Sequence, residues 1–162
     1  MIRVKRRGMP EMKKYLMCLL LFAIGISVFG ASNLSKAIEE IDKEVNQIEK
    51  NIKQYKEVDT SVDGSSEISY YDSSGTLKMK ETVYSTFISD LAEVTYYKNG
   101  KRIFMRILRT TYEVNPDGST SDEYKEETEK YYFNRNGELI RYIDKNGRII
   151  DDRDELSRLK GY

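Results

Sequence analysis

The spacing of apolar residues predicts one long amphipathic helix. Between residues 34 and 55 they recur at alternating intervals of four and three residues, the spacing of one helix face. Asn33 can cap the first turn, and neither proline nor glycine occurs again before Gly64. We expect a helix from about Ser35 to Glu57, within an amphipathic segment at residues 31–58. Its apolar stripe consists of Leu34, Ile38, Ile41, Val45, Ile48, Ile52 and Tyr55.

This stripe could be covered in two ways, by a coiled coil with a second chain or by a sheet of the same chain. In a parallel homodimer, Glu44 and Glu49 would face each other at g and e positions, where like charges repel. Three heptads also make a short coiled coil. We therefore favour packing on the chain's own sheet, with a homo-oligomer through the helix as the alternative.

After a polar linker at residues 59–66, the sequence changes to β-branched and aromatic residues separated by turn sequences. Asn-Gly favours a type I′ turn, and Asn115–Gly118 suits a type I turn followed by a glycine bulge. Six turns are expected, at 72–75, 89–90, 99–100, 115–118, 134–137 and 144–147. They predict seven antiparallel strands in sequence order, near residues 66–72, 76–88, 91–98, 101–114, 119–133, 138–143 and 148–151.

The fold class is therefore α+β, with one N-terminal amphipathic helix and an antiparallel β-meander at residues 67–151. A charged C-terminal tail follows at 152–162, where a last helical turn could bury Leu156 and Leu159. Residues 103–108 are apolar on both faces and predict the central strand. The first part of the strand at 119–133 is densely charged, which predicts an edge or a projecting ribbon. Alternation in the strand at 76–88 places on one buried face Leu77, Met79, Val83 and Phe87.

The first 30 residues have the pattern of an export signal. Six basic residues precede an apolar run at 16–29, which is shorter than the roughly 20 residues that a membrane-spanning helix requires. Small residues before Ala31 favour cleavage after Gly30, with cleavage after Ser32 as the second choice. We expect residues 1–30 to be a signal peptide that contacts the membrane only before cleavage, and the product to be periplasmic or secreted.

Composition excludes several kinds of chemistry. The sequence has no His and no Trp, and its one cysteine, Cys18, lies in the expected signal. Histidine or cysteine metal sites, disulfides and triads that need an imidazole are therefore excluded from the mature chain. Without residues 1–30, 21 basic and 26 acidic residues remain, a net charge of −5. We expect no cofactor, no metal and no nucleic-acid partner.

Two acidic features are candidate sites. Glu81 is the one acid that alternation places on the apolar face of its strand, where a carboxyl group could act as a general acid. No second carboxylate accompanies it, so we expect no enzyme. The segment at residues 144–149 resembles part of a calcium loop, but Tyr142 and Arg153 occupy the positions of its two essential carboxylates. We expect a hairpin turn there.

Four segments begin with aromatic residues and continue into a glycine turn, at residues 70–77, 96–102, 131–139 and 142–149. They resemble the hairpins of bacterial MORN-variant repeats, which occur in antitoxin-like proteins, and the YD repeats of large secreted shells. The resemblance implies β-hairpins and carries over no catalytic residue.

Paired tyrosines are the candidate binding groups. Adjacent strand residues point to opposite faces, so each pair offers one ring to each side of the sheet. An aromatic platform would consist of Tyr70, Tyr71, Tyr96, Tyr97, Tyr131 and Tyr132. The competing explanation is that tyrosine simply suits β-strands. With the export signal, these residues predict a small exported binding module for a protein or glycan of the cell envelope, of which an inhibitor or immunity-type partner is one form. A structural protein that oligomerises through the helix is the alternative.

Overall fold

The computed structural model describes residues 33–62 and 64–159, so the expected signal peptide at residues 1–30 lies outside the described part. The chain divides into two compact units between Ala37 and Ile38. All packing reported below lies within the second unit. No helix among the described residues has both the length and the apolar character needed to cross a membrane.

Helix α1 occupies residues 33–51 and ends in a 3-10 turn at Ile52–Gln54. Tyr55 already has extended backbone angles, and Lys56–Asp59 form strand β1. The predicted helix end at Glu57 was therefore wrong, and Tyr55 lies outside the helix. Residues 56–59 gain backbone hydrogen bonds from pairing with the next strand, and Asp59 Oδ1 accepts the Ser61 N–H at 2.8 Å to begin the turn. The expected linker at 59–66 is thus a hairpin.

Among the described residues, the sheet has eight antiparallel strands, each paired with its neighbours in sequence, which confirms the α+β class and the β-meander. The additional strand is β1. The others are β2 Ser65–Tyr71, β3 Leu77–Ser85, β4 Ser89–Lys98, β5 Lys101–Val114, β6 Thr120–Phe133, β7 Leu139–Ile143 and β8 Ile149–Ile150.

The Asn-Gly pairs form two kinds of turn. Asn99 and Gly100 have φ of 53° and 73°, so this pair forms the predicted type I′ turn. The other Asn-Gly pairs, at 136–137 and 146–147, belong instead to four-residue turns in which the glycine N–H bonds the carbonyl oxygen of the first residue. A side-chain acceptor at the first residue stabilises this four-residue turn, since Asn134 Oδ1 accepts the N–H groups of Asn136 and Glu138.

One sheet face, called here the helix face, is covered by α1. Its buried centre is a row of residues paired across four strands, Met79, Tyr96, Phe104 and Tyr132. The helix buries four residues of its stripe, Ile38, Ile41, Val45 and Ile48, of which Ile48 is only 2% exposed. Polar contacts fix the helix on this face, with Glu44 paired to Lys98 and Glu49 bonded to Tyr96. The apolar stripe of α1 thus packs on the chain's own sheet.

The opposite face is also partly covered. Helix α2, Arg153–Arg158, is capped by the Asp152 carboxylate, which accepts the N–H groups of Asp154 and Glu155. Its Leu156 joins a second core made of Met105, Tyr131, Phe133, Tyr142 and Ile150. The predicted helical turn in the tail is confirmed, and it covers part of this second face. Strand β5 is central and buries Phe104 on one face and Met105 on the other.

Strands β5 and β6 extend beyond the rest of the sheet as a two-stranded ribbon. Strand β4 pairs with β5 only as far as Thr111, and β7 pairs with β6 only from Lys130 onward. Residues 112–129, called here the ribbon, therefore lie beyond the end of at least one neighbouring strand. This confirms the prediction of a charged edge or ribbon.

Candidate partner-binding surface

The structure divides the six predicted platform tyrosines. Tyr96 and Tyr131 are 1% exposed and Tyr132 is 6% exposed, so these three are core residues. Both faces are covered at their positions, by α1 over Tyr96 and Tyr132 and by α2 beside Tyr131. The prediction that they contact a partner is corrected accordingly. The other three tyrosines are half-buried. Tyr70 lies on the helix face, whereas Tyr71 and Tyr97 lie on the opposite face.

Exposed apolar side chains instead gather where the ribbon leaves the sheet. We call this group the distal surface and define it as the exposed residues Phe87, Ile88, Val114 and Tyr124 together with the half-buried Tyr112. Phe87 is 65% exposed and Tyr124 is 58% exposed, which are high values for large apolar side chains. Phe87 and Ile88 lie at the turn between β3 and β4, whereas the other three belong to the ribbon.

Defined contacts hold the distal surface together. The Tyr112 N–H donates to the Ile88 carbonyl oxygen at 2.9 Å, which attaches the β3–β4 turn to the ribbon. The Tyr112 and Tyr124 rings pack edge to face with centroids 6.3 Å apart. The Tyr112 hydroxyl donates to Asp90 Oδ2 at 2.6 Å, and this bond raises the pKa of Tyr112 and lowers that of Asp90. The aromatic rings are therefore positioned before any partner arrives.

The ribbon also concentrates negative charge. Residues 112–129 contain seven acidic residues and one basic residue, a net charge of −6, although the whole chain has 27 of each sign. Most of these carboxylates are exposed, including Glu113, Asp117, Asp122, Glu123 and Glu126. The distal surface is thus an aromatic patch on a strongly acidic projection.

A polar cleft of about 400 Å³ lies beside the base of the ribbon, lined by Ile107, Arg109, Glu127, Glu129 and Lys145. Most of its charged groups already have partners. Glu129 accepts the hydroxyls of Tyr131 and Tyr142, each at 3.0 Å. Glu127 receives Lys125 at 2.7 Å and Lys145 at 3.2 Å. These contacts explain the cleft as the polar rim of the second core.

The other sequence candidates do not assemble into a site. Glu81 is half-buried on the helix face, paired in register with Ile68 and Val94, and is not among the residues that line the cleft. Residues 144–147 form a hairpin turn, with Asp144 Oδ1 accepting the Asn146 and Arg148 N–H groups. No group of metal-ligating side chains occurs among the described residues, and every buried side-chain nitrogen or oxygen there has a partner.

Sequence reasoning missed the distal surface. It placed Phe87 on the buried face of a strand at 76–88, but β3 ends at Ser85 and Phe87 lies in the turn. The signal that could have located it is the length of the predicted hairpins. The strands at 101–114 and 119–133 are far longer than their neighbours, so their outer halves had to extend past the sheet.

Comparisons with protein-family models, with curated proteins and with solved structures give no match to this chain. The resemblance to MORN-variant and YD hairpins stays a prediction.

Proposed function

We propose that this chain is a small exported binding module that docks a basic protein of the envelope or extracellular space through its distal surface. The observation that carries the proposal is the coincidence of exposed, pre-positioned aromatic rings with the chain's most acidic segment. Tyrosine and phenylalanine are enriched where proteins bind each other, and they lose little conformational entropy on binding. The carboxylates around them would steer a positively charged partner to this end.

A protein partner fits this surface better than a glycan. Glycan recognition would require flat rings beside polar groups in a groove, but the rings of Tyr112 and Tyr124 meet edge to face on a projection. A projection suits insertion into a concave partner, as an inhibitor or immunity-type protein does. Binding of this kind is stoichiometric and requires no catalytic group, in line with the expectation that the chain is not an enzyme.

The alternative function, oligomerisation through the helix stripe, has less support. Ile41 and Ile48 are 8% and 2% exposed within the single chain. A coiled coil would therefore require α1 to leave the sheet and expose the row centred on Tyr96 and Phe104. The distal surface is already exposed and needs no such rearrangement.

Capture from an envelope extract tests the proposal. The full chain is compared with a double variant, Phe87→Ser with Tyr124→Ser, and with a control, Val62→Ser, which removes an equally exposed apolar side chain elsewhere. We expect the parent and the control to retain the same basic protein, with retention falling as salt is raised. The double variant should lose it. Equal retention by all three chains would contradict docking through the distal surface.

A further inference from the structure

Strand β6 has an unpaired outer edge beside the distal surface. It runs from Thr120 to Phe133, but its register with β7 covers only Lys130 to Phe133. The chain turns away after β7 through the turn at 144–147. Within the described part of the chain, no strand pairs with the outer side of residues 120–129.

The hydrogen bonds show which backbone groups point outward. The Tyr112 N–H donates to Ile88 on the β4 side, so Tyr112 and Tyr124 are a pair that exchanges no hydrogen bonds across β5 and β6. The backbone N–H and C=O of Tyr124 therefore point away from β5. Alternation extends this direction to Glu126 and Thr128. Asn134, an even number of residues farther along, agrees with it, because its N–H donates on the β7 side to the carbonyl oxygen of Glu138, just before β7. Three residues thus present a row of outward donors and acceptors.

We propose that the partner binds by strand addition, placing an extended basic segment along this edge as a ninth strand over Tyr124–Thr128. The inference rests on the proposed function and specifies its mode of recognition. Main-chain hydrogen bonds to Tyr124, Glu126 and Thr128 would supply the affinity. Side chains of the added strand would lie beside the exposed Glu126 on the helix face and beside Glu127 and Glu129 on the other. Lysine or arginine beside Glu126 is the complementary choice, since Glu127 and Glu129 already have partners within the chain.

The charge of the edge argues against a second copy of the chain as the occupant. Residues 120–129 contain five acidic residues and one basic residue, so two such edges would bring together a net charge of −8. The same charges serve to prevent pairing of the edge with arbitrary strands. A basic segment is attracted to these charges and can pair with the edge. The Tyr124 ring gives it an adjacent apolar contact.

Peptide binding to the full chain tests strand addition directly. The probe is a capped nine-residue peptide of alternating lysine and valine, compared with the same peptide N-methylated at its central five residues. Methylation keeps every charge but removes the backbone donors. Amide exchange with residue resolution follows the Tyr124, Glu126 and Thr128 N–H groups, and titration at low salt gives the affinities. We expect the unmodified peptide to slow exchange at these three amides and to bind at least tenfold more tightly.

A pair of protein variants completes the test. Thr128→Pro removes one outward N–H without changing the charge, and proline is tolerated where the N–H of an edge strand faces solvent. Thr128→Val keeps that donor and is the matched control. We expect weaker peptide binding by the proline variant only. Equal affinity for both peptides would overturn strand addition while supporting docking through acidic side chains. Absence of binding by either peptide would overturn strand addition alone, because the capture experiment tests the docking surface separately.

Discussion

The hydroxyl of Tyr96, in the middle of the sheet, donates a 2.6 Å hydrogen bond to Glu49 Oε1 on helix α1. The two residues are separated by 47 positions in sequence and join the helix to the buried row of the sheet. Arg106 lies 3.8 Å from the same carboxylate oxygen. This bond fixes the position of the helix along the sheet, which apolar packing of Ile48 alone would leave less defined.

Replacing Tyr96 by Phe tests the value of this bond. The ring stays in its pocket, but Glu49 loses its neutral donor and keeps only the more distant Arg106. Since the Glu49 side chain is 41% exposed, water can solvate it, and we expect a loss of about 1 kcal/mol in the free energy of unfolding. Urea unfolding measures it. A loss above about 3 kcal/mol would show that the ring itself had moved.

A substitution in the helix stripe should lower the free energy of unfolding more than Tyr96→Phe does. Ile48 is 2% exposed against the sheet, so Ile48→Ala should cost about 2–5 kcal/mol through lost burial and the cavity left behind. Gln47→Ala, at an exposed position of the same helix, should be close to neutral. Circular dichroism melts at two protein concentrations check both. We expect helix and sheet to melt together and independently of concentration, whereas a concentration-dependent melt would indicate an intermolecular stripe.

Much of the fold could be predicted because local patterns and tertiary packing agree. The apolar spacing around Ile41 and Val45 fits one helix face, and the turn residues at Asn99–Gly100 determine a hairpin by themselves. The end of α1 could not be predicted, because heptad spacing continues to Tyr55. Pairing of Lys56–Asp59 with β2 overrides that spacing, and only the tertiary structure shows it.

The site was harder to predict than the fold. Alternation correctly indicates that Tyr131 and Tyr132 point to opposite faces, but exposure depends on which helices cover those faces. The sequence predicted a helical turn that buries Leu156, but it did not indicate that this turn would pack beside Tyr131. The rings of the distal surface are exposed because β5 and β6 extend past the ends of β4 and β7. This difference in strand length is a property of the whole sheet.

Removing the Glu129 carboxylate should destabilise the second core. The hydroxyls of Tyr131 and Tyr142 both donate to it, and the two rings lie 4.8 Å apart. Glu129→Ala would leave the Tyr142 hydroxyl without this acceptor, at a cost of about 1–3 kcal/mol. Glu126→Ala, an exposed acid three residues away, is the matched control and should change stability by less than about 0.5 kcal/mol. Equal effects in urea unfolding would contradict a role for Glu129 in this core.

Alkaline pH should weaken the folded state. Burial raises the pKa of Tyr132 to about 12 and, with the hydrogen bond to Glu129, that of Tyr142 also to about 12. An unfolded tyrosine loses its proton near pH 10, so the unfolded state binds fewer protons between pH 10 and 12. The stability from these groups is therefore complete below pH 10 and is lost as the pH rises toward 12. Urea unfolding at pH 8, 9.5 and 11 measures the slope, which Tyr142→Phe should reduce.

Asp72 should produce the opposite dependence at acid pH. Its Oδ1 accepts the hydroxyl and N–H of Ser74 and the N–H of Thr76, and these bonds, the Ser74 hydroxyl first, lower its pKa to about 2. Stability from this carboxylate is complete above its unfolded pKa of about 4 and is lost as the pH falls toward 2. Asp72→Asn keeps an oxygen acceptor, the arrangement that Asn134 already uses in its own turn.

We therefore expect Asp72→Asn to be less stable than the parent at pH 7, where it lacks the carboxylate charge and the ion pair with Lys78, but to lose less stability between pH 4 and 2. Asp122→Asn is the control, because Asp122 is an exposed acid on the ribbon for which the structure shows no hydrogen bond or ion pair with the described residues. Thermal melts at pH 7, 4 and 2.5 compare the three chains. Parallel curves for the parent and Asp72→Asn would show that ionisation of Asp72 does not contribute to holding this turn.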